Sequence, residues 1–369
     1  MSSEHPPKTL PILRSIETVL DARALGRAMF ALVPLLMLAL VSGRSEWLTV
    51  AIVPVSMLIA LDRSQLAPLG VFTHAVAISA GFLILMASLA YPLLFVVATV
   101  LLGMGSVLVT ARGSALRTLG NFTFIPALYL ACESAEGVTR HALVVRSIDI
   151  LPFLLIAALP ILLVSSFEHL RSRQSGVARL AHLAKWTRLP SHGERNAHIA
   201  LMFTVALAVA GAAALVEWQH VDHGQWVIWS AASVVTGNAA SAQQKFRNRL
   251  TGAVIGVSFG VVAGLLMPHA LPVRMLVVVA AMLTLVCIRP YTLAFATRCA
   301  CAAMAFVLAG QPWIFGGERL LNVVVGSAIG LLCALTASAI VAHATGTQFL
   351  TRARQGSPQH QAAQPRSRV

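Results

Sequence analysis

The chain has 369 residues, of which 57% are hydrophobic and 11% charged, with a formal net charge of +14. That composition excludes a soluble globular domain. The apolar residues fall in continuous runs of about 15 to 25, the length a helix needs to cross roughly 30 Å of hydrocarbon, and they lack the alternation of barrel strands. The fold class is therefore all-α: a polytopic integral membrane protein of about 12 transmembrane helices in two parallel six-helix repeats.

Residues 1–24 form a polar N-terminal segment with Pro6, Pro7 and Pro11 and no signal-peptide pattern, so the first helix is expected to act as its own insertion signal. Apolar segments follow over 25–42, 47–61, 66–90, 92–110, 114–131 and 148–167, making a first membrane half over 25–167. A hydrophilic stretch over 168–197, with Arg171, Arg173 and Lys185, is a cytoplasmic linker. Six more segments, 198–216, 226–240, 250–267, 271–288, 291–310 and 320–343, make a second half over 198–343, and residues 344–369 read as a disordered basic C-terminal tail.

With both termini on the cytoplasmic side of a bacterial inner membrane, 21 of the 27 basic residues face the cytoplasm, as the positive-inside rule requires. The net charge then reflects topology and contact with membrane lipid, and nothing calls for a nucleic-acid partner. Six spans per half is an even number, so the halves enter from the same side. Arg112 and Arg289 match at an offset of 177, and at that offset Asn121 of the first half stands where Arg298 stands in the second.

Arg298 carries the most information. It lies in the apolar run Leu293 to Leu308, which contains no Asp or Glu, and a charge at bilayer depth normally faces a partner or a wet cavity. It reads as an interior anion site, with Thr297 and Asn121 as neutral donors; the structural alternative is a bond to backbone carbonyls or snorkelling. Arg249, beside Lys245 and Arg247, reads either as a cytoplasmic anchor or as an anion contact on the cytoplasmic side. Gly252, Gly256, Gly260 and Gly264, four apart, share one helix face and suit close packing, as do Gly326 and Gly330.

No Walker phosphate loop is present, so uphill transport would draw on an ion gradient. The candidates for proton coupling are His74, in mid-helix, and Asp149 and Glu318, near helix ends. Inner loops show no paired carboxylates or His/Asp cluster, so no enzyme activity is expected. Five cysteines without a ligand spacing, and an isolated Glu217 to His223 loop, give no metal site and no cofactor.

The stretch Ser241 to Gly256, with Arg249 followed by Thr251-Gly252 and Gly256, resembles the fusaric acid resistance protein family, which includes the aromatic acid exporters. Glu318-Arg319 through Asn322 to Gly326 and Gly330 is similar to that family's closing helix. The resemblance covers mainly Ala197 to His343. It implies a bundle of two six-helix halves exporting aromatic or other organic acids, often with a periplasmic adaptor. It also adds Arg319 and Asn322 to Arg298, Asn121, Thr297 and Arg249 as substrate-binding residues. The linker here is shorter than the cytoplasmic domain of long family members. A passive organic-anion channel and an accessory subunit of an efflux system stand as alternatives, and homo-oligomerisation is open.

Overall fold

The computed structural model describes residues 18–113, 116–171, 186–187 and 195–355. Described residues form helices and two isolated bridges, with no strand. The helices of the first half are α1 (Ala22–Ser42), α2 (Glu46–Thr49), α3 (Ile52–Ser64), α4 (Pro68–Ser88), α5 (Pro92–Leu108), α6 (Leu116–Ala135) and α7 (Leu143–Arg171). Those of the second are α8 (Arg195–Gln219), α9 (Gln225–Val234), α10 (Ala239–Leu266), α11 (Leu271–Leu283), α12 (Tyr291–Leu308) and α13 (Ile314–Gln355).

Local chemistry sets the ends. Asp21 caps α1 by accepting from the Ala24 amide at 3.0 Å, and Gly43 closes it at φ 67°. Pro68 and Pro92 open α4 and α5 in the first turn, where a missing amide proton is harmless. The outward faces are apolar, as in Leu93, Leu101, Ile255, Phe259 and Leu332, each more than 60% exposed. A soluble protein would not leave such surface to water.

Each predicted apolar segment overlaps a helix, but among the described residues nine helical spans are long and apolar enough to cross a membrane. Three fall short of that standard. Helix α6 is long enough but carries Arg117, Asn121 and Glu133. Helix α11 has 13 residues. Helix α9 has 10, about 15 Å at the α-helical rise.

The shortness of α9 corrects the expected 226–240 segment. The chain leaves the helix at Val235 with extended geometry, Gly237 takes φ 103°, and Asn238 caps α10 through a bond from the Ser241 amide at 2.8 Å. Consequently α10 starts at Ala239, eleven residues before the expected 250–267 segment. Helix α13 continues to Gln355, past the start of the expected disordered tail at 344. Residues 1–17, 356–369 and all of the linker after Arg171 and before Arg195 except Trp186 and Thr187 lie outside the described residues.

Helix α10 packs along α12 through its glycines. A Cβ on Gly256 would fall on the Ala296 carbonyl oxygen, and one on Gly260 on that of Ala300. Helix α13 lies on α9 in the same way, since a Cβ on Gly326 would meet the Val227 oxygen and one on Gly330 that of Ala231. The halves meet along α5 and α8 and again where α6 reaches α9. These close approaches enclose α9, and they set the depth of the residues that follow.

Candidate functional site

Three guanidiniums stand at successive levels along α9. At its first turn Arg319 of α13 lies over the Trp226 ring, 3.7 Å from the centroid. One turn on, about 6 Å deeper, Arg249 of α10 donates from Nη2 to Ser230 Oγ at 2.7 Å and from Nε to Ser327 Oγ at 3.3 Å. At the far end Arg117 of α6 donates to the Thr236 oxygen at 3.0 Å and the Val235 oxygen at 3.3 Å. There it satisfies carbonyls exposed by the chain break and complements the negative end of the helix dipole.

Phe295 of α12 joins this row to Arg298. The Arg249 guanidinium sits 4.4 Å from its ring centre and that of Arg298 6.0 Å. Arg298 donates from Nε to Thr284 Oγ1 at 3.2 Å and from Nη2 to the Thr284 oxygen at 3.5 Å, at the C-terminal cap of α11. Among the described residues none of Arg117, Arg249, Arg298 and Arg319 is in a salt bridge. Arg319 is 3% exposed, and its Nε and Nη1 are buried without a hydrogen-bond partner; Cys299 offers it only a thiol, a weak acceptor.

Arg298 and Arg319 line a common cavity of about 240 Å³ between α6, α9, α11, α12 and α13. Its walls are aromatic: Tyr129, Trp226, Trp229 and Phe306. Trp226 and Trp229 stack with centroids 5.2 Å apart, and Tyr129 stands 6.0 Å from Trp226. Glu133 and Arg274 complete the charged lining. This is smaller than a drug-sized pocket of about 300–1,000 Å³ and suits a one-ring acid, with guanidiniums for a carboxylate and flat walls for the ring.

The other sequence candidates lie elsewhere. Asn121 is exposed and borders a separate recess with Arg117, so it does not meet Arg298. Thr297 donates to Leu293 within its own helix at 2.9 Å. Asn322 donates to the Asp222 carbonyl at 2.9 Å, tying α13 to the turn before α9. Arg249 is 5% exposed, which corrects the cytoplasmic-anchor reading: the early start of α10 and the short α9 bring it inside. Arg319 is likewise interior.

His74 is 2% exposed and donates from Nε2 to the Phe122 oxygen at 3.0 Å, beside a different cavity of about 380 Å³ among α4, α5 and α6. Asp149 is exposed near the start of α7, and Glu318 is half-buried outside the arginine cavity. Among the described residues no three His, Cys, Asp or Glu side chains gather as a metal site.

Sequence reasoning missed Glu133, Arg117 and the Trp226–Trp229 wall. Arg117 and Glu133 bracket the polar α6, and tryptophans at i and i+3 on a ten-residue helix share one face; both signals are in the sequence.

Helices that turn apolar side chains outward and arginines inward define a multi-pass membrane protein with a cationic, aromatic-walled interior. Its second half has a specific likeness: residues 196–333 match the family model described as fusaric acid resistance protein-like. That span is the part in which Arg249 and the closing helix carried the resemblance, and it holds Arg249, Arg298 and Arg319. Glu133 and Arg117 lie in the other half. No curated protein and no solved structure matches the chain.

Proposed function

We propose that the protein exports organic anions, aromatic acids foremost, across a bacterial inner membrane. The observation that carries this reading is the cavity shared by Arg298 and Arg319, walled by Tyr129, Trp226, Trp229 and Phe306. Arg274, Arg298 and Arg319 outnumber the single acid Glu133 in this lining and so attract a monoanion, and stacked indoles prefer an aromatic one. Twelve crossings in two parallel repeats, both termini cytoplasmic, fit the distribution of basic residues, with α9 and α11 entering the bilayer without reaching across it alone. In that orientation Arg117 lies toward the cytoplasm, followed by Arg249 and then Arg319.

A monoanion leaving a negative-inside cell gains about 2.3 kcal/mol per 100 mV. Membrane potential therefore suffices as the driving gradient, without ATP or a dedicated proton carrier. The row of arginines along α9 equally suits passive conduction, and a periplasmic adaptor would extend the path outward.

The test is flux of labelled benzoate from proteoliposomes with an imposed potassium-diffusion potential. Flux should follow the sign of the potential, saturate with benzoate for a carrier, and disappear in Arg298→Gln/Arg319→Gln. Unaltered flux in the double variant overturns the assignment of this cavity, and no flux in the parent protein overturns the transporter reading.

A further inference from the structure

We propose that Glu133 is the built-in competitor of the transported anion: in the empty cavity its carboxylate neutralises Arg319, and a bound organic anion displaces it. This rests on the anion-cavity reading above.

Glu133 stands in the last turn of α6 and lines the same cavity of about 240 Å³ as Arg298 and Arg319. At that size carboxylate and guanidiniums interact through a low-dielectric interior. Gln225 is 2% exposed and donates from Nε2 to Glu133 Oε2 at 3.4 Å. Its neighbour Trp226 is the ring under Arg319. The acid is thus held one residue from the platform of a guanidinium whose Nε and Nη1 have no partner. It comes from the first half, whereas both arginines come from the second, so the site is complete only when the halves meet.

The charged and titratable groups around Glu133 are Tyr129 and Cys132 on α6, Glu136 in the turn after it and Arg319 on α13, with Glu217 of α8 acting on Cys132. Arg298 of α12 and Arg274 of α11 share the cavity. Glu136 has its own partner in His223 at 3.0 Å, leaving Glu133 as the acid that borders the cavity. A second negative charge in that space repels an ionised Glu133. Binding of a carboxylate therefore draws one proton from water onto Glu133, turning COO⁻ into COOH while the ligand stays ionised. As the anion leaves, Glu133 returns the proton to the side that supplied it and reclaims Arg319, so each cycle still carries one net negative charge.

The experiment is calorimetric titration of purified protein with benzoate between pH 6 and 8.5, where benzoate remains an anion. In the parent protein Kd should rise with pH, approaching tenfold per unit, with proton uptake detected by repeating the titration in buffers of different ionisation enthalpy. Glu133→Gln should flatten the profile, abolish the uptake and bind benzoate several-fold more tightly at pH 8. The same slope in Glu133→Gln, or no proton uptake by the parent protein, overturns the competitor while leaving the cavity assignment standing. The proton-uptake arm decides this even if the variant does not fold. Failure of the parent protein to bind benzoate overturns both.

Discussion

The Arg319 guanidinium lies 3.7 Å from the centre of the Trp226 ring while its Nε and Nη1 remain buried and unpartnered. A ring face satisfies part of a cation's charge, worth about 0.5–2 kcal/mol, but accepts none of the directional bonds a planar fork can make. Those unused donors are what a carboxylate would fill. Arg319→Lys keeps the charge and loses the fork, so it should weaken benzoate binding at least tenfold with little loss of folded protein. Equal affinities of the parent protein and the Arg319→Lys variant in calorimetry would leave the residue a packing role on Trp226.

Gly256 meets the Ala296 carbonyl across the α10–α12 contact with no room for a side chain. Gly256→Leu should therefore separate the two helices, since lipid gives no hydrophobic compensation for lost van der Waals contact. Val262, on the outward side of α10 and 57% exposed, supplies the control. Val262→Leu should leave the thermal melt within about 0.5 kcal/mol of the parent protein, while Gly256→Leu gives little folded protein in detergent.

Arg117 carries two bonds to the carbonyls that follow α9. Hydrogen bonds from a charged donor contribute about 1.5–3 kcal/mol, and Arg117→Ala should lower stability by that order. A residue that only marked the cytoplasmic boundary would change the melt negligibly, so differential scanning calorimetry separates the two roles.

Asp21 provides a pH test outside the membrane. The Ala24 amide, with Arg289 at 3.6 Å, holds its carboxyl below the usual carboxylate range. A depressed folded-state pKa adds stability that is present above the unfolded value of about 3.9 and is lost as pH falls through the folded value. Asp21→Asn still caps α1 and should flatten the melting profile across that acid window. Asp21→Ala should in addition lose about 0.5–2 kcal/mol at neutral pH. A melting profile below pH 4 identical in Asp21→Asn and the parent protein would deny Asp21 this role.

The positions of the helices were legible because apolar runs, Pro68 and Pro92 at first turns, and Gly43 after α1 act locally. The level of Arg249 was not. Ser241 to Arg249 is polar enough to read as a cytoplasmic loop, and only the break at Gly237 and Asn238 turns it into the first three turns of α10. That break is one glycine and one cap in a run of small residues, too weak a signal against continuous hydropathy. Glu133 was hidden differently. It stands two residues past an apparent span end, where an acid is ordinary, and becomes interior only because α9 and α13 cover that end of α6. Arg298 was conspicuous from hydropathy alone, whereas the bond to Thr284 depends on where α11 stops.

That bond makes Arg298 the residue whose two roles most need separating. It lines the cavity, and it also closes the C-terminal end of α11 through Thr284 Oγ1 at 3.2 Å. If anion binding is its work, Arg298→Gln should abolish benzoate flux while the protein melts near the parent temperature, because an amide removes a buried charge and can still donate to Thr284. Arg298→Lys should also lose most of the flux, since an ammonium cannot offer two parallel donors. Thr284→Val is the counterpart: it takes away the side-chain acceptor and leaves the guanidinium free for the anion, so flux should persist with stability lower by about 1 kcal/mol. The pattern is read from vesicle flux and melts measured on the same preparations. Loss of flux in Thr284→Val together with normal flux in Arg298→Gln would reverse the assignment, making the α11–α12 tie the functional element and leaving Arg319 to hold the anion.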